Sequence, residues 1–280
     1  MKEVTHVADV RAWRASLAGT VGLVPTMGCL HAGHVSLVQR ARRDNDHVAV
    51  SLFVNPTQFG PGEDLSRYPR DLDRDRAQLE QAGCDLLFVP GVADMYPAGP
   101  GTLVDTGEVS RPLEGERRPG HFQGVATVVL KLLNIVQPQR AYFGQKDAQQ
   151  LGVIRTMVRD LDVPVEIVGC PTVREADGLA LSSRNSYLDP DDRRAAPVLH
   201  RALTAARRLW EQGERRGEAL RETMRRVLAD EPRARVDYVS VADPLTFREL
   251  DAMDGPALLS LAVFVGRARL IDNLALPPAG

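Results

Sequence analysis

The sequence has few cysteines and almost no net charge, and each of these scarcities excludes a class of protein. Its three cysteines, Cys29, Cys84 and Cys170, are odd in number, widely spaced and without a CxxC pair. We therefore expect reduced thiols in a cytoplasmic protein and no disulfide scaffold. The 35 basic and 37 acidic residues leave a formal charge of −2, a balance that provides no overall field to attract nucleic acid or an anionic membrane.

Long apolar segments are absent as well. The N-terminal residues lack the apolar core of a signal peptide, and the longest apolar runs, 125–136 and 257–265, are shorter than a bilayer span. With 280 residues, of which 44% are apolar and 26% charged, the chain has the length of one large domain or two modest ones and can bury a core without structural metal. These observations exclude the membrane, collagenous and disordered classes.

The first 170 residues alternate between short apolar segments and segments with helical periodicity. This alternation predicts an α/β fold with a parallel sheet covered by helices on both faces. Ligands of such sheets bind at the carboxyl ends of strands, so we expect chemistry in the loops after Val24, Val54 and Phe143. The predicted strands are 21–25, 47–54, 85–89, 141–144 and 165–169, and the predicted helices are 34–43, 71–82, 120–136 and 147–161.

The pattern changes after about residue 175. A polar segment at 174–188 suits a linker or a ligand-contacting loop, and 189–230 is a charged helical region. Two predicted strands, 235–242 and 257–265, follow and are joined by a turn-rich segment. We therefore predict a domain boundary near residue 175 with a smaller α+β domain behind it.

The most informative segment, PTMGCLHAGH at 25–34, lies between a predicted strand and a predicted helix. His31 and His34 are three residues apart, so at a helix start they lie on roughly the same side. A helix N-terminus offers N–H groups and the positive end of the dipole, both of which favour phosphate, and Gly28 and Gly33 let a ligand approach the backbone. The pattern favours a polyphosphate site where imidazoles stabilise charge on a phosphate in transfer.

Two other interpretations of the histidine pair stay open at this point. HxxH is also half of a metal site, although no Cys, His or Asp cluster with zinc-ligand spacing accompanies it. Alternatively, each histidine is a hydrogen-bonded structural residue.

A second strand-to-helix segment, FGQKD at 143–147, repeats this arrangement. Lys146 is a compact charge that can reach phosphate oxygens, and Asp147 can cap the following helix. Because only three of the 35 basic residues are lysines, a lysine in a polar motif is more suggestive here than in most chains, although a surface lysine remains the alternative. SSRN at 182–185 is a cluster of donors that suits anionic oxygens or is simply a turn.

Two further segments suggest how a small acid is held. In FVNPTQFG at 53–60, Gln58 offers a donor and an acceptor together, which suits a small hydroxylated acid. RPGHFQG at 118–124 opens the long predicted helix as a flexible lid or as a helix start. The motifs GxGxxG, GxxxxGK(S/T), GxSxG and HExxH are absent from the sequence, which disfavours the dinucleotide-binding, P-loop and hydrolase classes that use them.

Taken in order, PTMGCLHAGH, FVNPTQFG, RPGHFQGV, FGQKDAQQL and DGLALSSRN resemble the motifs of the pantothenate synthetases, or pantoate–β-alanine ligases. The resemblance runs from about residue 18 to residue 190, whereas HxGH alone would indicate only the wider HIGH-type nucleotidyl-transferase superfamily. It implies a Rossmann-like catalytic domain at 1–175 that binds ATP and pantoate, and a smaller C-terminal α+β lid domain at 176–280.

The resemblance also implies a two-step reaction. The carboxylate of (R)-pantoate attacks the α-phosphorus of ATP to give pantoyl adenylate and pyrophosphate, and the amine of β-alanine then displaces AMP to give pantothenate. Such chemistry depends on positioning and charge neutralisation more than on acid–base catalysis. The resemblance further implies Mg²⁺ bound with the phosphates, a cytoplasmic homodimer, and no nucleic-acid or membrane partner.

Site residues follow from the same resemblance. His34, with His31 beside it, and Lys146 are the implied catalytic residues, and Asp75 is the candidate for helping to hold Mg²⁺. Gln58 and Gln150 are implied to bind pantoate, with Gln58 also near β-alanine. The residues implied to bind ATP are Met27, Gly28, Cys29, Leu30, His31, Ala32, Gly33, His34, Gly144, Gln145, Lys146, Asp147, Val173, Leu181, Ser182, Ser183 and Arg184.

The sequence departs from the family pattern in two places, and three other functions compete with the implied one. Cys29 stands where alanine is usual and is open to oxidation, and Leu181 replaces a methionine of similar volume. The competing functions are an adenylyltransferase that stops at a nucleotide product, a non-catalytic nucleotide sensor, and a metal-binding regulatory protein that uses Cys29, His31 and His34.

Overall fold

A computed structural model describes residues 1–97, 99 and 101–278, and the chain divides into two compact units. The first unit comprises Met1–Gln145 and Gln150–Pro171, and the second comprises Lys146–Gln149 and Thr172–Gly280. The domain roles inferred from the sequence for 1–175 and 176–280 stay predictions, and residues 279 and 280 of the second lie outside the described residues.

The sheet of the first unit consists of β1 (Lys2–Val4), β2 (Val21–Thr26), β3 (His47–Leu52), β4 (Leu86–Phe88), β5 (Arg140–Gly144) and β6 (Glu166–Cys170). All of its strand pairs are parallel, and the order is β1-β4-β3-β2-β5-β6. The predicted α/β class is therefore confirmed, with strand ends displaced by one or two residues. The three strands whose loops were expected to carry chemistry are neighbours, β3-β2-β5, and the strand order reverses between β2 and β5, where ligands of such sheets bind.

The helices associated with the first unit are α1 (Val7–Ala15), α2 (Ala32–Asp44), α3 (Leu72–Gln81), α4 (Val92–Met95), α5 (Glu114–Arg117), α6 (His121–Val136) and α7 (Ala148–Asp160), the last beginning in residues of the second unit. The apolar stripe of α2 illustrates why they pack on the sheet. Leu37, Val38 and Ala41 recur at helical spacing and are buried in one cluster with Val24 and Val50 of the strands. Helix α6 is apolar nearly all round and is buried along most of its length.

The second unit contains the antiparallel sheet of β7 (Ala234–Ala242), β8 (Ala257–Val265) and β9 (Ala268–Leu276), in that spatial order. Helices α8 (Pro190–Ala195), α9 (Val198–Glu211) and α10 (Gly217–Ala229) occupy the region predicted to be helical. Their apolar faces share a core with the strands. Strand β9 was not predicted from the sequence, and neither were β1 and α1.

Among the described residues, no helix combines the length and the apolar character that a membrane span requires.

Candidate active site

The segment 26–34, which we call the first junction, turns sharply as it leaves β2. Gly28 and Cys29 are consecutive left-handed residues, with φ of 84° and 51°. A Cβ on Gly28 would lie 3.0 Å from the Leu52 side chain and 3.1 Å from Oδ2 of Asp75, so this position requires glycine both for its backbone and for its space. Cys29 has no such freedom, and a left-handed residue with a Cβ costs about 1–2 kcal/mol.

Asp75 stabilises this turn from α3. Its Oδ2 accepts a hydrogen bond from the backbone N–H of Cys29 at 2.8 Å, and its Oδ1 accepts one from Leu30 at 2.7 Å. The residue is 1% exposed. Burial raises the pKa of the Asp75 carboxyl, while the bonds from Leu30 and Cys29 act in the opposite direction. The carboxylate therefore works as a clamp on the loop.

The clamp bears on the prediction that Asp75 helps to hold Mg²⁺. Protein-bound Mg²⁺ takes one or two carboxylates together with phosphates and water in near-ideal octahedral geometry, whereas each Asp75 oxygen already accepts a backbone N–H. Within the described part of the chain, no three His, Cys, Asp or Glu side chains are grouped to hold a metal ion. The residues present do not fit a protein-held Mg²⁺ site, and Asp75 is better explained by its contacts with the loop.

His31 and His34 are both fixed by backbone donors at the start of α2. Nδ1 of His31 accepts from the N–H of Gly33 at 3.1 Å, and Nδ1 of His34 accepts from the N–H of His31 at 3.4 Å. The ring centroids are 4.0 Å apart. Because a backbone amide can only donate, each neutral ring carries its proton on Nε2. Two N–H donors are thus built into the positive end of a helix, where an anion is favoured.

Gln58 lies at the end of the short 3-10 helix Pro56–Gln58, which follows β3. It is 8% exposed. Its Oε1 accepts from Nδ2 of Asn55 at 3.1 Å, and its Nε2 lies 3.2 Å from Sδ of Met27. The first unit therefore brings Gln58, expected to bind the acid, next to Met27, expected to bind ATP.

The support for Gln58 includes residues that the sequence analysis missed. Asn55 donates to the carbonyl of Gly124 at 3.2 Å, and the Tyr96 hydroxyl donates to Oδ1 of Asn55 at 2.9 Å. A Cβ on Gly124 would lie 2.4 Å from the carbonyl oxygen of Thr57, so α6 meets this turn with no side chain between them. A glycine inside an apolar helix was the available signal, because such a residue often marks a close approach.

A polar network at the start of α6 holds the backbone of Gln58. Nδ1 of His121 donates to the Gln58 carbonyl at 2.8 Å, and Nε2 accepts from Arg118 at 3.0 Å. Arg118 in turn makes two bonds of 2.8 Å to Glu63. Burial, and next the positive charge of Arg118, lower the pKa of His121 to about 4, so the ring is neutral at pH 7. The segment RPGHFQG is therefore an ordered helix start.

The segment 144–149, which we call the second junction, follows β5. A Cβ on Gly144 would meet no atom within 4 Å. Lys146 lies in the 3-10 helix Gln145–Asp147, with its Nζ 3.9 Å from Oδ1 of Asp147. The carbonyl of Lys146 accepts a bond of 2.7 Å from Nδ2 of Asn273. Gln150 follows in the first turns of α7.

The remaining predicted ATP residues lie in the second unit. The carbonyl of Val173 accepts from the N–H of Leu181 at 3.0 Å. Ser182 is the N-cap of the 3-10 helix Ser183–Tyr187, and its Oγ accepts from the N–H of Arg184 at 3.2 Å. Thus a backbone bond joins Val173 to Leu181, and the SSRN segment that follows begins the 3-10 helix.

The predicted site residues are therefore divided between the two units. The first unit contains Met27–His34, Gln58, Gly144, Gln145 and Gln150, and the second contains Lys146, Asp147, Val173 and the 181–184 segment. The first unit by itself joins the paired histidines, their clamp and the Gln58 turn.

Comparisons with known proteins identify a family and close relatives for this chain. The sequence pattern of the family described as pantoate-beta-alanine ligase matches residues 2–275. The chain is 61% identical to the pantothenate synthetase of Roseiflexus sp. (strain RS-1) over 276 residues, which are 99% of each chain.

Solved structures give the same result. The pantothenate synthetase of Thermus thermophilus superposes with a TM-score of 0.93 at 55% identity, covering 98% of this chain and 99% of that one. The pantoate-beta-alanine ligase of Francisella tularensis, complexed with beta-gamma ATP and beta-alanine, superposes with a TM-score of 0.81 at 36% identity, covering 98% and 97%.

Proposed function

The chain belongs to the pantoate–β-alanine ligase family, and from this premise we propose how its residues carry out the ligation. The reaction is the ATP-dependent joining of pantoate to β-alanine. In the proposed first step a pantoate carboxylate oxygen bonds to the α-phosphorus of ATP as the bond to the bridging oxygen breaks, releasing pyrophosphate. In the second step the β-alanine amine attacks the acyl carbon, loses a proton, and AMP leaves with the bonding electron pair.

We assign the stabilisation of phosphate charge to the first junction. The observation that carries this assignment is the pair of backbone bonds that place the ring protons of His31 and His34 on Nε2 at a helix N-terminus. Fixed donors act on developing charge without reorganisation when the bond breaks. Met27–His34, held by Asp75, would line the nucleotide site.

Lys146, with Gly144, Gln145 and Asp147, and the turn of Val173 and Leu181–Arg184 are proposed to hold the nucleotide and its phosphates. A lysine ammonium and a cluster of hydroxyl and guanidinium donors suit several phosphate oxygens at once. The proposed reaction requires these residues to position the nucleotide and neutralise its charge rather than to transfer protons.

Gln58 is proposed to bind pantoate and to lie near β-alanine, and Gln150 is proposed to bind pantoate. The support for Gln58 is its fixed amide, whose two ends are oriented by Asn55 and Met27, and its burial at the end of β3. An oriented amide discriminates between hydroxyl and carboxylate partners because its donor and its acceptor cannot exchange places.

Mg²⁺ is proposed to enter with the triphosphate of ATP, bound mainly by phosphate oxygens and water, and no step above depends on a protein ligand for it. We also propose a homodimer that works in the cytoplasm. None of the three cysteines, all of which the structure describes, forms a disulfide, which suits a reducing compartment.

Pyrophosphate release tests this function directly. With ATP, Mg²⁺ and pantoate alone, we expect a burst of one pyrophosphate per site, followed by continuous turnover with AMP when β-alanine is added. His34→Ala is the matched control and should remove the burst. An adenylyltransferase would release pyrophosphate without AMP, and a nucleotide sensor would bind ATP without releasing either product.

A further inference from the structure

Strand β9 is an edge strand of the antiparallel sheet of the second unit, and two successive polar residues lie in its middle. Asp272 is 3% exposed and shares the buried face of the strand with Leu270. Asn273 lies on the opposite face with Arg269, four residues earlier. The pairing of β9 with β8 is made by backbone groups, and Oδ1 of Asp272 also accepts a hydrogen bond from the N–H of Asn273 at 2.8 Å.

Asp272 anchors the segment that leads to the SSRN turn. Arg174 donates to both of its oxygens, at 2.6 and 2.8 Å. The same guanidinium donates to the carbonyl of Gly178 at 3.0 Å and to that of Asn273 at 3.3 Å. Two planar groups joined in this way fix orientation as well as distance, so the start of the loop is tied to β9.

Asn273 anchors the other segment. Its side-chain amide donates to the main-chain carbonyl of Lys146 at 2.7 Å. This bond lies within the second unit, to which Lys146–Gln149 belong, although β5, which precedes them, belongs to the first unit. A bond to the main chain fixes where the lysine side chain begins without engaging its ammonium.

We propose that Asp272 and Asn273 are positioning residues that hold Lys146 and the Leu181–Arg184 turn on one strand, so that both segments meet the phosphates of ATP as a single unit. The inference rests on the role proposed above for Lys146. Asp272 and Asn273 are not proposed to touch the reacting atoms, because each acts through the segment that it holds.

Asn273→Asp tests the proposal because it keeps the shape of the side chain and removes the donor. In single-turnover measurements it should slow the pyrophosphate burst about tenfold, the equivalent of one hydrogen bond. Attack of β-alanine on preformed pantoyl adenylate should keep its rate. A general loss of structure would slow both steps.

Arg269→Ala is the matched control. Arg269 lies on the same face of the same strand and pairs with Asp237 at 2.7 Å, so its loss should lower stability and change the burst by less than about twofold. Thermal unfolding of each variant separates folding from catalysis, and Asn273→Ala serves if the aspartate variant does not fold.

A double-mutant cycle with Lys146→Ala tests the positioning role of Asn273 separately from the role proposed for Lys146. If Asn273 acts through Lys146, Asn273→Asp should have almost no further effect when Lys146 is already alanine. A normal burst in Lys146→Ala would overturn the role of the lysine itself. If Lys146 does have that role, three results would overturn the positioning role of Asn273. They are a normal burst in Asn273→Asp, an equal loss from Asn273→Asp with and without Lys146→Ala, and an equal loss in Arg269→Ala.

Discussion

The two junctions follow neighbouring parallel strands, yet they are held by opposite chemistry. In the first junction, two backbone N–H groups donate hydrogen bonds to Asp75. In the second, a backbone carbonyl accepts a hydrogen bond from Asn273. The first contains two left-handed residues, whereas Gly144 and Lys146 of the second have ordinary backbone angles. The comparison indicates that the side chain holding each junction is an acceptor where the backbone offers N–H groups and a donor where it offers a carbonyl. Of the two junctions, only the strained one is held by a buried carboxylate.

The largest effect should follow from removing a donor that is proposed to contact the phosphates at the first junction. His34→Ala is expected to lower the rate of adenylation about 10²–10³-fold, the usual cost of losing one fixed transition-state donor. Pyrophosphate release in a single turnover measures it. A rate close to that of the unchanged protein would contradict the assignment of catalysis to this junction.

At the second junction, Lys146→Arg keeps the charge and changes its shape. We expect adenylation to fall about tenfold or more, because a planar guanidinium is a poor substitute for a compact ammonium and one charged hydrogen bond is lost. The same single-turnover assay measures this effect, and Lys131→Arg, on α6, is the control. Full activity would show that the second junction contributes charge alone.

Asp75→Asn breaks the clamp of the first junction. It leaves one of the two loop N–H groups without its acceptor, so we expect a loss of about 1–3 kcal/mol in the free energy of unfolding. Urea unfolding measures this loss. Asp73→Asn is the control on the same helix, since the Asp73 side chain is 95% exposed. Equal stabilities for the two variants would argue against the clamp.

The smallest expected effect is a difference in stability between alanine substitutions at two glycines. Gly28→Ala places a Cβ at a positive φ and against Leu52 and Asp75, and we expect a loss of about 1–2 kcal/mol in stability. Gly144→Ala meets open space and should change stability by less than about 0.5 kcal/mol. If urea unfolding shows equal losses of stability for the two variants, the proposed difference in strain between the junctions is contradicted.

The sequence predicted the parallel sheet well because β2–β6 are short, apolar and separated by amphipathic helices. It failed at β9, where Asp272 occupies a position on the buried face that alternation assigns to an apolar residue. That aspartate is paired with Arg174, 98 positions away, and no local pattern encodes such a partner. The loop contacts of Asp75 could not be predicted for the same reason, since its partners Cys29 and Leu30 are distant in sequence.

The roles of individual residues were less accessible than the fold. Motifs located the histidines and Gln58, but a residue type does not reveal which nitrogen of an imidazole is protonated. That follows from backbone donors at His31 and Gly33 and from the carbonyl of Gln58, which give His34 and His121 opposite tautomers.

The bare contact between Gly124 and the turn that carries Gln58 has an evolutionary consequence. Because helix backbone meets turn backbone there, no rotamer change or side-chain substitution at Gly124 can make more room beneath the turn, and any larger residue would displace it. If Gln58 binds the acid as proposed, descendants of this protein that accept a different acid would therefore have to change other residues around Gln58, where side chains can be exchanged. In a directed-evolution library, position 124 should be left as glycine.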